Sequence, residues 1–85
     1  MYYYVYILLA QNSNISYVGY TNNIKKRISL HNNGKGAKFT RGRKWKLIYK
    51  CKYISKSEAM KNEIYLKKNY LLRKKIKDKY LKKNK

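Results

Sequence analysis

One run of the sequence, YYYVYILLA at residues 2–10, decides most of what the chain can fold into. It is aromatic and aliphatic, carries no charge and has no helical period, which predicts a strand buried on both faces. A bilayer span needs about 20 apolar residues, so the run is too short to be one. It also lacks the basic flank and small-residue cleavage site of a secretory leader. The expectation is a buried strand in a cytoplasmic protein.

The rest of the chain has to cover that strand. QNSN at 11–14 is a turn cluster and ISYVGY at 15–20 a second β-rich run, so the two runs form a hairpin. Thr21, Asn22 or Asn23 caps a helix over about 23–32. On it Ile24, Ile28 and His31 share a stripe, and Arg27 shares an edge with His31. NNGKG at 32–36 ends the helix, and AKFTRGRKW at 37–45 reads as a basic loop. KLIYKCKYI at 46–54 places Leu47, Tyr49, Cys51 and Tyr53 on one face and mostly lysines on the other, a strand with one wet side. Ser55-Lys-Ser-Glu58 is a capping box that opens a helix of about four turns. Ala59, Met60, Glu63, Ile64, Lys67 and Leu71 follow one another along its stripe. From Arg73 on, the sequence reads as a frayed basic helix. The predicted fold is mixed α/β: a three-stranded antiparallel sheet flanked by helices, order ββαβα, with a domain over 1–72 and a basic tail over 73–85.

Charge narrows the partners. Twenty-three Lys and Arg stand against three acids, a net charge of +20 on 85 residues. Self-repulsion on that scale works against a compact monomer unless something anionic offsets it. Nucleic acid is the leading candidate, ahead of a membrane surface and of acidic proteins. Cys51 is alone, so neither a disulfide framework nor a cysteine zinc cluster is available. It reads as a small apolar core side chain.

Three acids make the search for catalytic carboxylates short. Glu58 belongs to its capping box and Asp78 to the lysine-rich tail, which leaves Glu63, in mid-helix and facing the sheet. Two readings are open: an ion pair with Lys67 one turn on, or a hard cation held by one carboxylate and several waters. Arg27 and His31 lie four apart, about 5–6 Å at Cβ on a helix. Arg27 is either a solvated arginine or a fork for phosphate; His31 is either a satisfied edge histidine or a base. Tyr6 and Tyr17 fall on the two hairpin strands, with Gly19 two residues on, where a backbone or substrate can approach closely. GKGAK at 34–38 lacks P-loop spacing. Lys35, Lys38, Arg41 and Arg43 fit phosphates along a nucleic-acid strand instead, contacts that give salt-sensitive affinity without sequence preference.

These pieces resemble the GIY-YIG nucleases. The Val5-Tyr6-Ile7 and Tyr17-Val18-Gly19 triplets are similar to that family's signature. TNNIKKRISLHN at 21–32 resembles its helix with an arginine and a histidine. GKGAKFTRGR is similar to a segment of the small stand-alone bacterial members, and EAMKNEIYLKK resembles their helix, with the metal-binding glutamate at Glu63 and a basic residue at Lys67. The likeness runs from residue 2 to about 70. Val5 stands where the family has its first glycine, Tyr20 where some members carry a lysine, and only Asn69 is available for an asparagine found in some sites.

The resemblance implies a metal-dependent endonuclease acting on DNA or RNA. Glu63 would hold one Mg²⁺ or Mn²⁺, Arg27 would stabilise charge on the phosphate, Tyr17 would be the base or water-positioner, and Tyr6 would hydrogen-bond beside it. A phenol has a reference pKa of about 10 and needs cationic neighbours to serve as a base. His31, near 6.5, is the rival. Two other classes share the charge and size: a nucleic-acid-binding module without activity, and a ribosome-associated basic protein. Selectivity would come from substrate shape or from a protein partner, in an unspecified oligomeric state.

Overall fold

A computed structural model describes residues 1–83; positions 84 and 85 of the predicted tail lie outside the described residues. The elements run β1 (Tyr3–Ala10), β2 (Ser16–Thr21), α1 (Ile24–Asn32), a 3₁₀ turn (Lys38–Thr40), β3 (Trp45–Tyr53), α2 (Lys56–Lys68) and α3 (Tyr70–Lys83). The sheet is antiparallel in the order β2-β1-β3, so the apolar run is its central strand. Val5 to Ala10 are all buried. Alternate residues of β1 serve two cores: Val5 and Ile7 pack with Val18, Ala59 and Leu66, and Tyr6, Leu8 and Ala10 pack with Trp45, Ile24 and Ile28. The α1 helix therefore covers one face, and α2 with α3 the other.

Local chemistry explains the boundaries. Asn12 takes a left-handed φ of 59° in the β1–β2 turn, a conformation asparagine tolerates. Asn23 caps α1 by accepting from the Lys26 amide, and Ser55 caps α2 by accepting from the Glu58 amide. Asn69 separates α2 from α3, its carboxamide oxygen accepting from Leu72 N at 3.0 Å. Asn69 is thus a helix cap here.

Four expectations need correction. Leu47 does not share a face with Tyr49: Ile7 pairs with Tyr49 but Leu8 with Leu47, so a bulge at Ile48 switches faces. Leu47 packs on the α1 side and Tyr49 on the α2 side. The buried stripe of α2 is Ala59 and Leu66, with Asn62 and Glu63 half-buried; Met60 and Ile64 are 41% and 50% exposed. Leu71 lies beyond the break at Asn69 and is exposed. The 37–45 segment contains the 3₁₀ turn with its buried Thr40, and the buried Trp45 begins β3.

Last, the basic end is a docked helix. Leu72 and Ile76 pack on the α2-side core, Arg73 Nη1 donates to the Leu66 and Lys67 carbonyls, and Lys77 Nζ donates to Asn14 O at 2.8 Å. A division between 72 and 73 falls inside α3. No helix among the described residues is long and apolar enough to cross a membrane.

Candidate active site

β1 and β2 bring two phenols together because Tyr6 pairs directly with Gly19 and so lies beside Tyr17. Gly19 makes this fit: a Cβ there would lie 2.6 Å from the Tyr6 hydroxyl and 3.1 Å from the Tyr17 ring. The two rings are 6.4 Å apart between centroids, and the Tyr17 ring is 5.0 Å from His31. Tyr6 is 1% exposed, whereas Tyr17 is only half-buried.

A chain of hydrogen bonds fixes Tyr6 from behind. Its hydroxyl is 2.9 Å from His31 Nε2, His31 Nδ1 is 2.8 Å from Thr40 Oγ1, and Thr40 Oγ1 donates to Ala37 O at 2.7 Å. Because the Thr40 proton is committed to that carbonyl, His31 Nδ1–H donates to Thr40, which leaves Nε2 to accept from Tyr6. His31 is 1% exposed. Burial, and then the charge of Arg27, push its pKa below the usual histidine value, so the neutral ring is favoured. Burial pushes the Tyr6 phenol up, as do Tyr17 and Glu63, against the pull of Arg27. Tyr6 is therefore a proton donor to a neutral histidine, and both His31 nitrogens are engaged.

The charges of Arg27 on α1 and Glu63 on α2 bear on the Tyr6 phenol in opposite directions. β2 is an edge strand of the sheet, with α1 on one face and α2 on the other. The Glu63 side chain is 15% exposed and pairs with Lys67 Nζ at 3.5 Å. A shallow cavity of ≈ 240 Å³ beside Tyr17 is lined by Ser16, Val18, Lys67 and Arg73. Lys35, Lys38, Arg41 and Arg43 are exposed on the segment that wraps His31. Among the described residues no three His, Cys, Asp or Glu side chains cluster, so Glu63 is a lone carboxylate with room for at most a hard cation that keeps most of its water.

Sequence reasoning missed three contributors. Thr40 supplies the outer end of the hydrogen-bond chain. Gly36 lets the segment close over His31: a Cβ there would lie 2.5 Å from Nδ1. Arg73 reaches the cavity from what had read as a tail. No period marks Gly36 or Thr40; the one available signal was the placement of a glycine and a small hydroxyl in a segment otherwise basic. Gly36→Ala is expected to destabilise the fold by about 1–3 kcal/mol, because the His31 ring is pinned at both nitrogens and cannot yield. Urea unfolding would measure it; unchanged stability would mean the loop shifts freely.

The arrangement has known relatives. The family described as the GIY-YIG catalytic domain matches residues 2–82. A UPF0213 protein of Oceanobacillus iheyensis is 49% identical over 65 residues, covering 75% of this chain and 74% of its own length. Another, of Bacillus licheniformis, is 47% identical over 79 residues, 92% of this chain and 77% of its own. The solution NMR structure of a UPF0213 protein from Bacillus halodurans is 41% identical, covers 88% of this chain and 80% of its own, and superposes with a TM-score of 0.53. With Tyr6 and Tyr17 side by side on β1 and β2 and the match spanning residues 2–82, this chain belongs to the GIY-YIG catalytic domain family.

Proposed function

We propose that this chain is a metal-dependent endonuclease that hydrolyses phosphodiester bonds in nucleic acid, with DNA as the first substrate to try. One observation carries the reading: Gly19 leaves room for the half-buried Tyr17 beside Tyr6, whose buried hydroxyl is held at 2.9 Å by His31. A core tyrosine needs no such company. The residues fit a divalent ion of the Mg²⁺ or Mn²⁺ type, since a single carboxylate at a basic, partly open edge suits a cation that keeps several waters. Glu63 would hold it, and when bound it would polarise the scissile phosphate and stabilise the leaving oxygen.

The chain's own groups divide the remaining work. Arg27 offers a guanidinium to the phosphate as negative charge develops there. Tyr17, the accessible phenol, positions the attacking water and takes its proton. Tyr6 holds that geometry, fixed by neutral His31. Lys35, Lys38, Arg41, Arg43 and Lys67 hold the phosphates on either side. None of the five cations reads a base, so affinity is expected to fall steeply with salt and to be insensitive to sequence.

A second reading, a binding module without turnover, is favoured by one contact: the Glu63 carboxylate already has a cationic partner in Lys67. Cleavage separates the two. Labelled single-stranded, duplex and branched DNA, and RNA, would be incubated with the protein and Mg²⁺ or Mn²⁺. A Glu63 variant purified in parallel serves as the blank. Chelator-sensitive cutting by the parent alone is the expected result; tight binding with no cutting in either metal would replace the nuclease by the binding module.

A further inference from the structure

Phe39 is the most conspicuous side chain that the proposed chemistry does not use. It is 58% exposed, in the middle of the 3₁₀ turn, on a surface that is otherwise basic. Its neighbours show that it is held there. Thr40 is fully buried and tied to His31 and to Ala37 O, and its carbonyl accepts from Trp45 Nε1 at 2.9 Å. The turn is thus anchored from beneath, and the core it covers is closed by Trp45 itself.

One face of the Phe39 ring leans on its neighbours. It stacks on Tyr17 at 6.3 Å and 23° between planes, and meets Trp45 at 6.3 Å and 41°. More than half of the residue's surface remains open to solvent. Lys38 and Arg41 flank it in sequence, with Lys35 and Arg43 just beyond, all four exposed. A largely exposed aromatic ring, set among cations and resting on the proposed proton acceptor, has the composition of a single-strand binding surface, where bases stack and phosphates pair.

We propose that Phe39 forms a nucleobase subsite that takes an unpaired base next to the phosphate held at Tyr17 and Arg27. Bases in a duplex are stacked on each other and cannot present a face to the ring, so the subsite selects single-stranded or locally unpaired nucleic acid. This rests on the nuclease reading only for where the scissile phosphate lies. The selectivity comes from the ring and the affinity from the cations around it.

The test is binding, in chelator so that nothing is cut. An oligonucleotide carrying the fluorescent base 2-aminopurine reports stacking by quenching, and anisotropy on single-stranded and fully paired DNA reports affinity. Parent protein is expected to quench the probe. Phe39→Ala and Phe39→Leu should lose the quenching and bind single strands about tenfold more weakly, with duplex affinity unchanged. Phe39→Trp should restore both. Phe39→Leu keeps an apolar contact with Trp45, and thermal unfolding of each variant identifies one that has merely lost its fold. Equal quenching by parent and Phe39→Leu, no quenching by the parent, or equal losses on single strand and duplex would each overturn the subsite. A parent that quenches but never cuts with metal present would overturn the nuclease reading and leave the subsite standing.

Discussion

Glu63→Gln is expected to slow metal-dependent cleavage by at least about a thousandfold while nucleic-acid affinity stays level or rises. The size follows from the scarcity of acids. Asp78 is paired with Lys74 at 3.0 Å on the exposed side of α3, and Glu58 sits at the exposed start of α2. Neither stands near Tyr6, so no second carboxylate takes over. Affinity should not suffer, because the substitution removes a negative charge from a surface that binds phosphates. It also releases Lys67, now 3.5 Å from the carboxylate, to contact substrate.

Stability should change little, since an i,i+4 ion pair is worth about 0.3–0.5 kcal/mol. Single-turnover cleavage alongside anisotropy on the same substrate would measure both effects. A Gln variant that cuts within tenfold of the parent, with the same cation requirement, would place the metal elsewhere. A variant that neither cuts nor binds would point instead to a damaged fold, which its unfolding curve would show.

What the sequence disclosed about this site depended on how locally each contact is made. β1, the hairpin and a helix cap among Thr21, Asn22 and Asn23 rest on neighbours in the chain, and all were readable; the structure selects Asn23. Glu63 was placed towards the sheet correctly, but for a stripe that was about one residue out of phase. Met60 and Ile64 look like core residues by composition, yet the sheet covers Ala59, which the stripe included, and Leu66, which it did not. Leu47 was misplaced because an alternating pattern says nothing of an inserted residue; the bulge at Ile48 comes from pairing with β1.

The His31 environment was the least legible. Its two partners lie at positions 6 and 40, on a central strand and on a segment without period, and neither bond leaves a mark near residue 31. The same pattern on α1 was compatible with a free base, and the partners' positions oppose that. Arg73 was hidden for a related reason: the lysine-rich α3 reads as solvated until Leu72 and Ile76 are seen to dock it.

Tyr17→Phe is expected to lower the cleavage rate by about 10²–10⁴-fold with no change in stability, the range over which a positioned proton acceptor contributes. Tyr17 is half-buried, and among the described residues no buried side-chain polar atom lacks a partner that its hydroxyl would have to supply. Tyr6→Phe should behave differently. It removes the hydroxyl that donates to His31 Nε2 in a fully buried position, so about 1–3 kcal/mol of stability goes with it. The pair of variants therefore separates a group that does chemistry from one that holds geometry.

The pH dependence adds a second discriminator. The His31 pKa is depressed, so the ring is neutral across pH 6.5–8 and its titration contributes no step to the rate there. Its effect on folding has a definite sign: the unfolded chain takes up the proton first, so the stability this ring contributes is complete above about pH 6.5 and is lost as pH falls through the lower folded value. A base carried by His31 would instead show rates that survive Tyr17→Phe and collapse in acid. Retention of rate within threefold in Tyr17→Phe would move the base role to the Tyr6–His31 pair, whose hydrogen bond already supplies a path for the proton. Loss of rate in Tyr17→Phe with native unfolding behaviour would leave that pair as the support on which the accessible phenol works.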